Sequence, residues 1–209
     1  MKRVRFKICG IKNLHEARLA IQAGADMLGF VFAEGRHKVS WEQVLPIARE
    51  IPFHVLKVGV FVNAPPEQVR RTADYCRLEV LQFHGEESPS YCRQFSQKVI
   101  KAFPVATKDD LAPLATYRVD AYLLDARVKG LRGGTGQVLP WEMVKEINLL
   151  PAPLILAGGL TPQNIRKALQ KTGVNIVDVS SGVESSGQKD YLLLQQLSQA
   201  IRSYERDAF

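Results

Sequence analysis

Pro153-Leu-Ile-Leu-Ala157 running into Gly158-Gly159-Leu160, and Val174-Asn-Ile-Val-Asp-Val179 running into Ser180-Ser181-Gly182, lie within residues 152–190 and decide the fold. Short apolar runs bounded by glycine and proline read as strands buried on both faces. Glycine directly after such a strand lets the backbone approach a ligand closely with its N–H groups turned outward. In an eight-stranded parallel barrel the loops after the seventh and eighth strands form the recurrent phosphate site. The stretch therefore predicts a barrel whose ligand carries a phosphate.

The rest of the chain supplies the other strands. Apolar β-branched runs recur near Val4–Cys9, Met27–Phe32, Val55–Val62, Leu78–Phe83, Val99–Phe103, Ala121–Asp125, Leu154–Ala157 and Ile176–Val179. Helical patterns lie between them at Leu14–Ala23, Trp41–Arg49, Pro66–Tyr75, Trp141–Ile147, Pro162–Leu169 and Tyr191–Tyr204, faintest for the fifth and sixth helices. Pro162 suits a first helical turn, with Thr161 as its N-cap. Eight strand–helix alternations without a composition break imply an α/β fold, a single (β/α)8 TIM barrel spanning residues 1–209.

Composition bounds the function. The 209 residues are 46% hydrophobic and 23% charged, ordinary values for a globular enzyme. No apolar run approaches the ~20 residues needed to span a bilayer, and Met1-Lys-Arg-Val-Arg-Phe lacks a signal-peptide core. No membrane association and a cytoplasmic location are the expectation. Cys9, Cys76 and Cys92 are too few and too dispersed for a disulfide framework or a zinc cluster. The net charge of +7 comes from scattered residues without interleaved aromatics. It fits attraction of a small polyanionic substrate better than a nucleic acid partner.

Catalytic groups of such barrels sit at the carboxyl ends of strands. Period-two alternation turns Lys7 and Cys9 toward the barrel axis with Phe6 and Ile8 outside, and likewise turns Asp125 and Asp178 inward. Each residue alone has an ordinary explanation. A single cysteine is most often a small buried hydrophobe, and His84 before a glycine is more often bonded to a neighbouring carbonyl than catalytic. Gly133-Gly134-Thr135-Gly136 alone would be a flexible loop. Their concurrence on one rim makes a candidate site.

The ordered motifs Lys7-Ile-Cys-Gly-Ile11, Gly59-Val-Phe-Val-Asn63, Gln82-Phe-His-Gly85, Leu124-Asp125, Gly133-Gly-Thr-Gly136, Ala157-Gly-Gly-Leu160 with Pro162 and Asn164, and Asp178-Val-Ser-Ser-Gly-Val-Glu184 with Gly187, Lys189 and Asp190 resemble the phosphoribosylanthranilate isomerase family. The resemblance runs from Lys7 to Asp190. It implies an Amadori rearrangement of N-(5-phosphoribosyl)anthranilate in tryptophan biosynthesis, without metal or organic cofactor. It makes Cys9 the general base and Asp125 the general acid. Lys7, Arg36, His84, Gly133, Gly134, Thr135, Gly136, Gly158, Gly159, Asp178, Ser180, Ser181 and Gly182 become substrate-binding residues. Acid and base work best near the operating pH, so a thiol near about 8.5 must come down and an aspartate near about 3.9 must go up. Lys7 favours the first change and burial the second.

The chain departs from the family in two places. The family's Ser-x-Arg-x-Val after the second strand reads Gly35-Arg36-His37-Lys38-Val39, so a histidine holds the arginine's register. Leu139-Pro140-Trp141 replaces the usual Phe-Asp/Ser-Trp. A related phosphoribosyl isomerase of histidine biosynthesis would end its first strand in aspartate and repeat between halves; neither is found. A non-catalytic phosphate-binding barrel would have lost the acid or the base, and both are present. Monomer and homodimer both remain open.

Overall fold

The computed structural model describes residues 3–125, 141, 144 and 151–207. Eight parallel strands, β1 (Arg5–Cys9), β2 (Met27–Val31), β3 (Leu56–Phe61), β4 (Val80–Phe83), β5 (Lys98–Pro104), β6 (Ala121–Asp125), β7 (Leu154–Ala157) and β8 (Ile176–Val179), pair in sequence order and close β8 onto β1. The strand expectations hold to within two residues at each end. The helices α1 (Leu14–Ala23), α2 (Trp41–Glu50) and α3 (Pro66–Cys76) also fall where the 3.6-residue period places them.

The departures have local causes. Between β4 and β5 the crossover shrinks to one turn, α4 (Pro89–Cys92), and between β5 and β6 it is a 3₁₀ segment, Lys108–Thr116, interrupted by Pro113. The helix after β7, α5, runs Ile165–Thr172 rather than starting at Pro162. Thr161 is not its cap: the Asn164 side chain accepts from the Thr161 N–H at 2.8 Å, and residues 162–164 form a turn. The helix expected at Trp141–Ile147 lies outside the described residues except for Trp141 and Val144, both buried. A final helix, α6 (Tyr191–Asp207), packs against α1 and α5.

Alternation divides the core into two layers. Outward-facing Phe6, Ile8, Leu28, Phe61, Leu81, Leu124 and Val177 meet the helices. Each such burial stabilises by about 1.5–3 kcal/mol. Inward-facing Met27, Val58, Val80, Ile100, Ala102, Ala121, Leu123, Ile155 and Ala157 fill the barrel. That apolar plug leaves the polar inward residues Lys7, Cys9, Gln82, Asp125 and Asp178 at the carboxyl end.

Candidate active site

The closing seam of the barrel sets the first group. Lys7 on β1 is the register partner of Asp178 on β8, and its Nζ donates to Asp178 Oδ2 at 2.9 Å. Lys7 is fully buried. Burial disfavours its ammonium, but Asp178 and Cys9 outweigh that and raise the lysine pKa, so Lys7 is a cation at neutral pH. Asp178 Oδ1 is buried and makes no hydrogen bond. A carboxylate oxygen left bare at the mouth is a vacancy for a hydroxyl donor. The Cys9 thiol departs from expectation. Burial pushes its pKa up, Lys7 pulls it down, Asp178 adds to the rise, and the net shift is upward. Lys7 opposes desolvation without overcoming it.

Room for this pair comes from Gly29, opposite Cys9 on β2. A Cβ there would lie 2.9 Å from Cys9 Sγ and 3.0 Å from Lys7 Nζ. Gly29→Ala should therefore displace the thiol and its cation by a few tenths of an ångström to an ångström. Misplacement on that scale costs about 10–100-fold in kcat. Steady-state kinetics on a folded Gly29→Ala variant check this, and an unchanged kcat would show that the two side chains tolerate the shift.

Across the barrel, β4 and β6 supply the second group. Asp125 is buried at the end of β6, and His84 Nε2 lies 3.3 Å from its Oδ2. His84 thus faces the carboxylate rather than a backbone carbonyl. Gln82 Nε2 lies 3.3 Å from His84 Nδ1 on the other side. The loop carrying His84 is fastened from below. Lys101 Nζ donates to the Gly85 carbonyl (2.7 Å) and to Glu87 Oε2 (3.2 Å). Glu87 in turn accepts from the Asn63 and Gly85 N–H groups at 2.7 and 2.9 Å. Because Lys101 and Glu87 are both buried, their partnership with each other and with backbone is what makes the charges tolerable there.

The glycine turns have the backbone that the sequence implies. Gly158 and Gly159 take φ of 88° and 64°, a region that side chains other than glycine disfavour. A Cβ on Gly182 would lie 1.8 Å from the Leu160 carbonyl oxygen, so the turns after β7 and β8 are pressed together backbone to backbone. Ser181–Val183 forms one 3₁₀ turn, whose first N–H groups have no partner within it. Ser180 Oγ donates to the Cys9 carbonyl at 3.1 Å, tying this turn to the end of β1. Gly133, Gly134, Thr135 and Gly136 lie outside the described residues. Among the described residues no group of three or more His, Cys, Asp or Glu side chains converges as metal ligands.

The loop after β2 meets residues that the sequence alone did not single out as site residues. Arg36 and His37 both pair with Glu184, the guanidinium with Oε2 and the imidazole Nε2 with Oε1 at 2.9 Å. Glu184 and the buried Lys189 form a short hairpin, β9 (Glu184–Ser185) with β10 (Gln188–Lys189), and Lys189 Nζ donates to Glu184 at 2.6 Å. Burial favours the neutral acid, yet Lys189, His37 and Arg36 hold the Glu184 carboxyl below the usual range. His37 is lowered, by burial first and by Lys189 and Arg36 next, against the pull of Glu184. The His37 ring packs on Gly10, where a Cβ would meet its Cγ at 2.8 Å. Arg36 remains 59% exposed against 18% for His37. The signal for Glu184 and Lys189 was present in the motif, but strands of two residues have no period to read.

Known proteins are similar to this chain in sequence and in fold. Residues 6–200 match the family model described as N-(5'phosphoribosyl)anthranilate (PRA) isomerase. A protein from Moorella thermoacetica named N-(5'-phosphoribosyl)anthranilate isomerase is 45% identical over 203 residues, 97% of this chain and 91% of its own. The crystal structure of phosphoribosyl anthranilate isomerase from Thermotoga maritima superimposes with a TM-score of 0.90 at 37% identity, over 96% of this chain and 99% of that one. A structure of phosphoribosyl anthranilate isomerase in complex with reduced 1-(o-carboxyphenylamino)-1-deoxyribulose 5-phosphate aligns with a TM-score of 0.86 at 36% identity, over 96% of this chain and 99% of that one. A match over nearly the whole chain, on a barrel with the thiol and the carboxylates at its mouth, establishes that this protein belongs to the N-(5'-phosphoribosyl)anthranilate isomerase family.

Proposed function

We propose that the chain converts N-(5-phosphoribosyl)anthranilate to 1-(2-carboxyphenylamino)-1-deoxyribulose 5-phosphate, with Asp125 as general acid and Cys9 as general base. The observation carrying this is the facing arrangement of a thiol beside a buried ammonium and a buried carboxylate beside an imidazole, on one rim. Protonated Asp125 gives its proton to the furanose ring oxygen as the C1′–O bond breaks, leaving an iminium at C1′. The Cys9 thiolate then takes the C2′ proton, and those electrons neutralise the iminium to an enolamine that tautomerises to the ketone. Lys7 stabilises the thiolate, and the bare Asp178 oxygen is placed to accept from a sugar hydroxyl. Loss of substrate fluorescence at pH 7–8 is the direct assay. A purified, folded enzyme that leaves the fluorescence unchanged would overturn the reading.

The phosphate belongs on the backbone N–H groups of Gly158, Gly159, Ser181 and Gly182, where pressed glycine turns and one helical turn present donors to an anion. Crystals soaked in phosphate or sulfate should hold the ion there; an ion seated elsewhere on the rim with these turns empty would refute the assignment. Lys7, Ser180 and His84 complete the contacts around the sugar. The polyanionic substrate, a phosphate monoester with a carboxylate, does not cross bilayers, which supports a cytoplasmic location, and no described helix is long and apolar enough to cross a membrane. A Thermotoga maritima relative is described as dimeric, and monomer and homodimer are both compatible with a site built within one chain.

Arg36 is the partner of the anthranilate carboxylate in this reading. Lowered His37 is neutral near pH 7 and offers a single donor, whereas Arg36 keeps its charge and can form a bidentate fork. Arg36 sits on Glu184 with most of its side chain in solvent, so a one-residue offset is within its reach. Arg36→Ala should raise KM at a cost of about 1.5–3 kcal/mol, and His37→Ala clearly less. The reverse order would show that the histidine has taken over the family position.

A further inference from the structure

Gln82 is a polar, inward-facing side chain bordering the apolar barrel plug, and substrate chemistry gives it no task. It lies on β4 in register with Val60 and Ile100 and is almost wholly buried. Its Nε2 faces His84 Nδ1 at 3.3 Å while its Oε1 makes no hydrogen bond. A buried amide oxygen without a partner is uncommon and calls for an explanation. The line continues from His84 Nε2 to Asp125 Oδ2, also at 3.3 Å.

A neutral imidazole has one N–H and one bare nitrogen, and the partner of one nitrogen fixes the role of the other. With the Gln82 N–H at Nδ1, that nitrogen accepts, so Nε2 carries the hydrogen and donates to an ionised Asp125. A half-turn of the terminal amide, whose torsion is two-fold, brings the idle Oε1 to Nδ1. Nδ1 must then be the N–H, and Nε2 becomes an acceptor for protonated Asp125. The side chain that leaves one oxygen bare in the first state uses that oxygen in the second. The Lys101–Glu87 fastening holds the His84 loop still, so the amide can turn without the backbone moving.

We propose that Gln82 is a positioning residue that sets the His84 tautomer and thereby supports Asp125 in both protonation states of its acid cycle. The inference rests on the assignment of Asp125 as the acid. Protons balance: one enters from solvent, Asp125 gains it, and the His84 ring hydrogen moves from Nε2 to Nδ1 by exchange with water. Surrender of the Asp125 proton to the sugar ring oxygen reverses the arrangement.

The test combines nitrogen-15 NMR of the His84 ring with kinetics. In the wild-type enzyme at a pH where Asp125 is ionised, the hydrogen should reside on Nε2. Gln82→Glu, an acceptor only, should move it to Nδ1. Gln82→Met, of similar shape but without hydrogen bonds, should leave a mixture of tautomers and lower kcat about tenfold, the scale for partners behind a reacting group, with KM within about twofold. A merely structural Gln82 would change stability without moving the tautomer. A wild-type His84 carrying its hydrogen on Nδ1 at that same pH would overturn the proposal even if neither variant folds. So would a single tautomer common to wild type and folded variants, or wild-type kcat in Gln82→Met. An Asp125→Asn enzyme with wild-type kcat would instead remove the acid assignment. Impaired Asp125→Asn beside unimpaired Gln82→Met removes this inference alone.

Discussion

Cys9→Ser and Asp125→Asn should each lower kcat by about 10²–10⁴-fold, the worth of a positioned acid or base, while binding of a product analogue changes little. Both residues sit on the barrel wall rather than in its plug, so neither exchange opens a void. The pH dependence identifies the base. Because the Cys9 pKa is raised in the folded protein, by burial above all, the thiol is the resting form at neutral pH. The thiolate fraction of the free enzyme grows as pH rises through that raised pKa. Wild-type kcat/KM should therefore increase from neutral into mildly alkaline solution, and Cys9→Ser should lose that limb. Either variant retaining more than about a tenth of wild-type kcat would strip its residue of the assigned role.

Lys7→Met should cost about 3–5 kcal/mol of stability, the usual consequence of removing one member of a buried ion pair and stranding the other. Here the stranded group is Asp178, 2.9 Å from the ammonium and buried beside it. Urea denaturation at pH 7 measures the loss. Exchanging both partners, as Lys7→Met with Asp178→Leu, should recover most of it, since a buried pair replaced by apolar side chains is often nearly neutral. A double variant as unstable as the single one would mean that the pair contributes by more than mutual charge compensation. The single variant also loses the cation facing Cys9. Every further pH unit by which the thiol titration climbs then removes about tenfold of the thiolate available near neutrality.

Inward and outward faces were legible from alternation alone. Lys7, Cys9, Asp125 and Asp178 all lie where period two puts them, because parallel barrel strands are buried on both sides and polar residues stand out. What alternation cannot carry is distance across the barrel. Gly29 reads in sequence as a mid-strand glycine and gains meaning only opposite the Cys9 sulfur. Glu184 holds two loop side chains, Arg36 and His37, from a hairpin too short to show a period. The balance at Cys9 was open for the same reason, since a sequence names Lys7 as neighbour but not the depth of burial that outweighs it. The late start of α5 goes with a local turn over residues 162–164, in which the Asn164 side chain accepts from the Thr161 N–H and neither side chain caps the helix.

The seam between β1 and β8 has a further consequence, in time rather than in space. Lys7–Asp178 and Ser180–Cys9 span 171 residues of sequence, and Lys12 Nζ reaches the Gly187 carbonyl at 2.6 Å across 175. Such contacts form only after a very long loop has closed, and that entropy must be overcome before they stabilise anything. Cys9 on β1 and Asp178 on β8 come from the first and last strands of the barrel order, so neither has its neighbour before β8 meets β1. Catalytic competence therefore arrives with ring closure, so that recovery of activity during refolding follows the formation of this last seam rather than the appearance of helices or individual strands.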